Sequence, residues 1–272
     1  MEKMIMKGRT NNMKMISFCN KKGGVGKTTL CKNIAYKFAL ENKKILLIDL
    51  DPQANLTMDF AQENIKFKNS LMDIITTKNN IENIEINKII KVSKYKNIDL
   101  ISAQKELTKS SLIIGTMYEK QEIYSISDML YQYNQETFDS YDYVLIDYPP
   151  TINELSLNFL ILSDLVIIPI NDALRAFKGI LDLKDNINKI CKQENRKTPN
   201  MKIVFNNVKE NFNFVTIEKW IQDENLENLV IKSKIKYSDA FKTIENELSS
   251  IWTNPYYWRQ KQAYEELIAE IL

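Results

Sequence analysis

Residues 14–33 read KMISFCNKKGGVGKTTLCKN, and three of the chain's six glycines fall between positions 23 and 26. KMISFCN (14–20) has the apolar run of a buried strand, and the residues after the glycines have helical period. A strand, a glycine-rich turn and a helix in that order bring successive backbone N–H groups and a helix N-terminus onto one anion. Gly23, Gly24, Val25, Gly26, Lys27, Thr28 and Thr29 are therefore the expected phosphate-binding residues. Within them Lys27 is expected to reach the β- and γ-phosphates of a nucleotide, and the Thr28 hydroxyl to bind Mg²⁺. One lysine beside such a loop has an obvious task, yet Lys21 and Lys22 stand before the glycines as well.

Outward from the loop, short apolar runs alternate with longer stretches of helical period. Strands are expected at 14–20, 43–49, 97–102, 141–147, 164–170 and 201–207, several of them apolar at consecutive positions. Helices are expected at about 27–40, 122–135, 153–163, 173–192, 213–224 and 256–271. The pattern predicts an α/β fold, a mostly parallel twisted sheet flanked by helices. Neither an internal repeat nor a Pro/Gly/Ser-rich linker divides the chain, so one domain is expected over 14–272, preceded by an N-terminal extension at 1–13. Residues 62–96, rich in Asn, Lys and Ile, are poorly periodic and read either as an insertion over the site or as short helices.

Composition excludes several functions. With 37 Lys and Arg against 35 Asp and Glu the net charge is +2, so any nucleic-acid-binding surface must be a local patch. The absence of histidine removes Ser-His-Asp and Cys-His catalysis and His-ligated zinc. Cys19, Cys31 and Cys191 are odd in number and form no CxxC, and are expected to be buried thiols. No apolar run reaches membrane-spanning length, and MEKMIMKGRTNNMK (1–14) lacks the apolar core of a secretory signal, so a cytoplasmic location is expected.

The strict pattern G-x-x-x-x-G-K-[ST] is broken, because Lys21 occupies the place of its first glycine. KGGVGKTT (22–29) instead resembles the deviant phosphate loop of the ParA/MinD superfamily of Walker-type ATPases. The resemblance implies ATP and Mg²⁺ as cofactors and a homodimer in the ATP state. It also implies that Lys22 crosses a two-fold interface to the partner's phosphates while Lys27 serves its own. Lys21 stands where the family usually carries glutamine and reads as a solvated lysine. KKILLIDLDPQANLT (43–57) resembles the family's second block, in which Asp49 assists Mg²⁺ through its water shell and Asp51 positions or activates the attacking water. YDYVLIDYPPTINELSLNFL (141–160) resembles the block in which Asp147 is the Walker B carboxylate, with Tyr148 where family members usually carry Cys or Thr. The residues after Pro149 and Pro150 are expected to sense the γ-phosphate. DLVIIPINDALRAFKGI, YSDAFKTI and QAYEELIAEIL match more loosely, and Asn206 is expected at the adenine edge. Lys22, Lys27 and Asp51 are the expected catalytic set, and Thr28, Asp49 and Asp147 the expected metal set.

Within the superfamily, the resemblance is to ParA-type partition ATPases, which bind nonspecific DNA as ATP dimers and are released by a ParB-like centromere-binding protein. NNVKENFNF and IKSKIKYSDA align with the family's DNA-binding segments and put Lys209 and Lys236 at matching positions, with Lys232, Lys234 and Lys242 nearby. A nucleoid-associated protein is the corresponding expectation. The few residues before the first strand imply no operator-binding helix-turn-helix domain. The alternative is a MinD-like membrane-associated ATPase, which needs a basic amphipathic helix; YEELIAEIL carries only acidic charges, so no membrane partner is expected. A tyrosine-kinase reading of NPYYW and Tyr264 is weaker, because these aromatics interleave with a helical pattern. The cysteine positions exclude iron–sulfur reductases and carriers.

Overall fold

Buried strands of Val, Ile and Leu build the centre of the molecule, a computed structural model that describes residues 13–62, 70–76, 85–119 and 122–272. The strands are β1 (Lys14–Phe18), β2 (Ile45–Asp49), β3 (Ile90–Val92), β4 (Ile98–Ile101), β5 (Tyr143–Asp147), β6 (Leu165–Ile170), β7 (Asn200–Val208) and β8 (Ile235–Lys236). They form one sheet in the order β3-β4-β2-β5-β1-β6-β7-β8. β3 runs antiparallel to β4 and every other pairing is parallel.

The helices are α1 (Lys27–Leu40), α2 (Asn55–Phe60), α3 (Leu71–Thr76), α4 (Ser110–Met117), α5 (Ile126–Tyr133), α6 (Gln135–Asp139), α7 (Glu154–Leu162), α8 (Leu174–Gln193), α9 (Phe212–Asp223), α10 (Asp239–Asn246) and α11 (Trp258–Ile271). They cover both faces of the sheet. Successive strand residues point to opposite sides: Leu46 and Ile48 join the core made with α3, α4, α5, α7, α8 and α9, whereas Ile45 and Leu47 join the core made with α1, α2, α10 and α11. This is why β2, ILLID, is apolar at consecutive positions and buried throughout.

All six expected strands are present. The expected helix at 122–135 is broken: a 3₁₀ turn at Ile123–Ser125 leads into α5, and Asn134 leaves helical geometry before α6. The Asn134 side chain accepts the Ile86 N–H at 2.9 Å, which stabilises the break. In the 62–96 region, α3 and β3 are described, and Leu71, Ile74 and Ile75 are core residues, while residues 63–69 and 77–84 lie outside the described residues. The N-terminal extension lies outside them too, except for buried Met13.

A candidate nucleotide site at the ends of the central strands

β1, β2 and β5 are adjacent and parallel, so their C-terminal ends open on one edge, where open parallel sheets bind ligands. The loop after β1 is shaped by Gly24 (φ +74°) and Gly26 (φ +82°), both in the left-handed region. Gly26 is further constrained, because a Cβ there would lie 2.2 Å from Asn206 Nδ2.

The loop's carbonyls are taken up in sequence. Lys27 Nζ donates to the Lys22 carbonyl at 3.4 Å and Lys22 Nζ to that of Gly23 at 3.1 Å. Asn171 Nδ2 donates to the Gly24 carbonyl at 3.5 Å and Asn206 Nδ2 to that of Val25 at 2.8 Å. The Gly26 carbonyl accepts the Leu30 N–H inside α1. With its acceptors turned to these donors, the loop keeps N–H groups for an anion at the start of α1, whose first turn carries no acidic residue.

Asn20, fully buried, fixes the base of the loop. Its Oδ1 accepts the Lys22 N–H at 3.0 Å and its Nδ2 donates to the Pro169 carbonyl at 2.8 Å, tying the loop to β6. Gly179 of α8 leaves room for it, since a Cβ there would stand 2.4 Å from Asn20 Oδ1. Asn20 and Asn171 escape sequence reasoning, because an isolated asparagine beside a loop looks like any turn former.

Three oxygen-bearing side chains meet beside the loop. Thr28 Oγ1 donates to Asp147 Oδ2 at 2.6 Å. Asp49 and Asp147 are paired in register across β2 and β5 and are fully buried. Asp49 Oδ1 accepts the Asp51 N–H at 3.0 Å, and Asp51 Oδ1 accepts that of Gln53 at 2.9 Å. Burial first, and for Asp147 the Asp49 charge next, favour the protonated forms: Asp49 is pushed from its ordinary 3.8 to about 7, and Asp147 well above its ordinary range. Such a pair accepts either protons or a cation. Among the described residues, no three His, Cys, Asp or Glu side chains are grouped to hold a metal.

Burial also raises the Cys19 thiol to about 12 and the Cys31 and Cys191 thiols above their ordinary value, so all three are inert buried thiols, as expected. Lys21 makes a partly exposed ion pair with Asp182 of α8 at 3.6 Å. Tyr148 turns from the site into the core, where its OH accepts from Ser17 Oγ at 3.0 Å.

The expected DNA-binding lysines lie after β7 (Lys209), before and in β8 (Lys232, Lys234, Lys236) and in α10 (Lys242). Lys209 and Lys236 are exposed; Lys209 Nζ sits 4.0 Å from the Tyr237 ring centre, and Lys236 pairs with Glu210 at 3.1 Å. Lys234 is partly buried, bound to Glu218 at 2.8 Å and placed over Phe214. Lys232 and Lys242 are exposed.

The AAA domain family (AAA_31) matches residues 13–203. A protein of Pseudomonas putida is 35% identical over 190 residues, covering 70% of this chain and 67% of its own length. The sporulation initiation inhibitor protein Soj of Bacillus subtilis is 30% identical over 183 residues, covering 67% of this chain and 68% of Soj. Among solved structures, apo McdA of Cyanothece superposes with a TM-score of 0.80 at 17% identity, over 96% of this chain and all of that one. A plasmid partition protein of Borrelia burgdorferi superposes with a TM-score of 0.68 at 21% identity, over 94% and 98%. The deviant phosphate loop, the paired strand-end carboxylates and these similarities together place the chain in the AAA domain family, among the ParA/Soj-like partition ATPases.

Proposed function

We propose that this chain is a Mg²⁺-dependent ATPase that closes as an ATP-sandwich dimer, binds nonspecific DNA and drives plasmid or chromosome partition. Its hydrolysis is slow alone and stimulated by a ParB-like centromere-binding protein, and its place is the cytoplasm, on the nucleoid. The observation that carries this reading is the phosphate loop with its carbonyls tied back, facing the buried Asp49 and Asp147 pair.

The donor set fits Mg²⁺. Thr28, Asp49 and Asp147 offer hard oxygen ligands and too few of them for a closed protein cage, which suits an ion that keeps its waters and binds phosphate. Thr28 and Asp147 would hold the ion, with Asp49 acting through its water shell; bound to the phosphates, it would neutralise charge on the β- and γ-oxygens. Lys27, already anchored on the loop, binds the phosphates of its own chain. Asp51 positions or activates the attacking water. Asn206 supports the loop through its amide nitrogen, and an adenine contact would use its carboxamide oxygen.

Lys22 now rests on its own Gly23 carbonyl. In the dimer its ammonium leaves that carbonyl and reaches the partner's phosphates, the kind of delivered cation that supplies roughly 10³ to 10⁵ in rate where an arginine does the same work. Lys209, Lys232, Lys236 and Lys242 supply the phosphate-binding patch, Lys236 by exchanging the exposed Glu210 for a phosphate, and Lys234 contributes less because Glu218 holds it.

The membrane-associated alternative is disfavoured by α11, which buries Tyr264, Leu267, Ile268 and Ile271 in the core and so has no free apolar face for a bilayer. Among the described residues no helix is long and apolar enough to cross a membrane. Two variants test the reading. Lys22→Ala should bind ATP but lose hydrolysis, and Lys209→Glu with Lys236→Glu should lose retention of random-sequence DNA while keeping ATPase activity. Full hydrolysis in the first variant contradicts the cross-subunit role; unchanged DNA retention in the second contradicts the patch.

A further inference from the structure

Thr57 lies in α2, beyond the residues that the phosphate-loop chemistry accounts for, and is buried. Its backbone N–H and its Oγ1 both donate to Asp49 Oδ2, each at 2.8 Å. The same Oγ1 accepts the Ala103 N–H at 2.9 Å, so one hydroxyl links the end of β2 to the residues that follow β4. The other oxygen of Asp49 accepts the Asp51 N–H. Both oxygens of this carboxylate are therefore fixed, one by Thr57 and one by the backbone of Asp51.

Two further features hold Thr57 where it is. α2 begins directly after Ala54, whose φ of +57° turns the chain sharply back toward the site. On the flank of α2, Asp59 makes a buried ion pair at 2.8 Å with Lys32 of α1, the helix that starts at the phosphate loop. The short helix is thus pinned to α1 on one side and to the Asp49 carboxylate on the other.

We propose that Thr57 is a positioning residue for the Mg²⁺ site: its hydroxyl orients the Asp49 carboxylate, and through the Asp49–Asp51 bond it sets the backbone from which Asp51 addresses the attacking water. The inference rests on the Mg²⁺ATPase reading above. Groups that orient a metal-binding carboxylate in this way commonly govern 10- to 100-fold in metal affinity or activity.

Thr57→Val keeps the shape and the backbone N–H but removes the hydroxyl; Thr57→Ser keeps the hydroxyl and removes the methyl. The test has two readouts. The first is the Mg²⁺ concentration giving half-maximal binding of a fluorescent ATP analogue. The second is amide hydrogen exchange at Asp51 and Ala103 in the nucleotide-free protein. The Val variant should need about 10-fold more Mg²⁺ and exchange faster at both amides, with Mg²⁺-free nucleotide binding unchanged, and the Ser variant should match wild type in both. A Val variant with wild-type Mg²⁺ requirement overturns the proposal. So does a Ser variant as impaired as the Val variant, which also decides the matter if the Val variant fails to fold. Wild type showing no Mg²⁺ dependence at all would overturn the ATPase reading itself, a result distinguishable from either variant outcome.

Discussion

The raised carboxyls of Asp49 and Asp147 should make the nucleotide-free protein's stability fall as pH rises across neutrality. A carboxyl that holds its proton more tightly folded than unfolded stabilises the fold below its unfolded value, and that contribution is lost as pH rises through the folded one. For Asp49, moving from 3.8 to about 7, the contribution is about 2.5 kcal/mol greater at pH 5 than at pH 8. Asp147, shifted in the same direction, adds to it. At about 2 °C per kcal/mol for a chain of this length, the expected fall in Tm is about 5 °C or more. The chain has no histidine, so few other side chains change charge in this window. Thermal melts followed by circular dichroism at pH 5, 6, 7 and 8 in EDTA measure the slope. Asp49→Asn, a neutral isostere, should flatten it, and Mg²⁺ with ATP should offset it by replacing the proton with a cation. A Tm that is flat or rises with pH in the nucleotide-free wild type would refute the argument.

Gly26→Ala should destabilise by about 2 to 3 kcal/mol, combining the cost of a left-handed alanine with loss of the Asn206 bond to the loop, and should abolish ATP binding. Adding Asn206→Ala should relieve the clash but not the backbone cost; a fully wild-type Gly26→Ala in urea denaturation contradicts this. Lys32→Met leaves Asp59 buried without its partner and should cost about 3 to 5 kcal/mol, largely recovered in Lys32→Met with Asp59→Leu. A single variant within 1 kcal/mol of wild type, on the order of a surface pair, would contradict the burial argument.

The parts of the fold that were legible are those with a strong periodic or compositional signal. Consecutive apolar residues marked β2, β5 and β6 because both faces of the sheet are covered, and Asp49 and Asp147 followed as polar residues ending such runs. β3 and β8, with three and two residues, are too short to carry a period. α2, six residues long, is too short to show a helical period and is positioned by contacts of Thr57 with Asp49 and of Asp59 with Lys32, which only the fold forms. Asn20 was hidden for the same reason, and Asn206 was expected at the adenine edge but not as a support of the loop: they act on the loop from just after β1 and from β7, and only folding brings their carboxamides to it. The lysine patch was readable as charge but not as availability, since the partners of Lys234 and Lys236 are set by the fold: Glu218 comes from α9 and Glu210 from the turn after β7. Tyr148 departs from the usual small residue at its position, and the core supplies the reason, a buried hydroxyl partner in Ser17.

In the proposed ATP dimer, Lys22 completes the phosphate pocket of a second copy of the chain. The most direct test is the molar mass by light scattering at saturating ATP and Mg²⁺, for wild type and for Lys22→Ala. Wild type should reach twice the 31.9 kDa of one chain, and Lys22→Ala, still binding ATP, should stay at 31.9 kDa. A wild type that remains at 31.9 kDa with nucleotide bound, or a Lys22→Ala protein that doubles its mass and hydrolyses ATP like wild type, would rule out this role of Lys22.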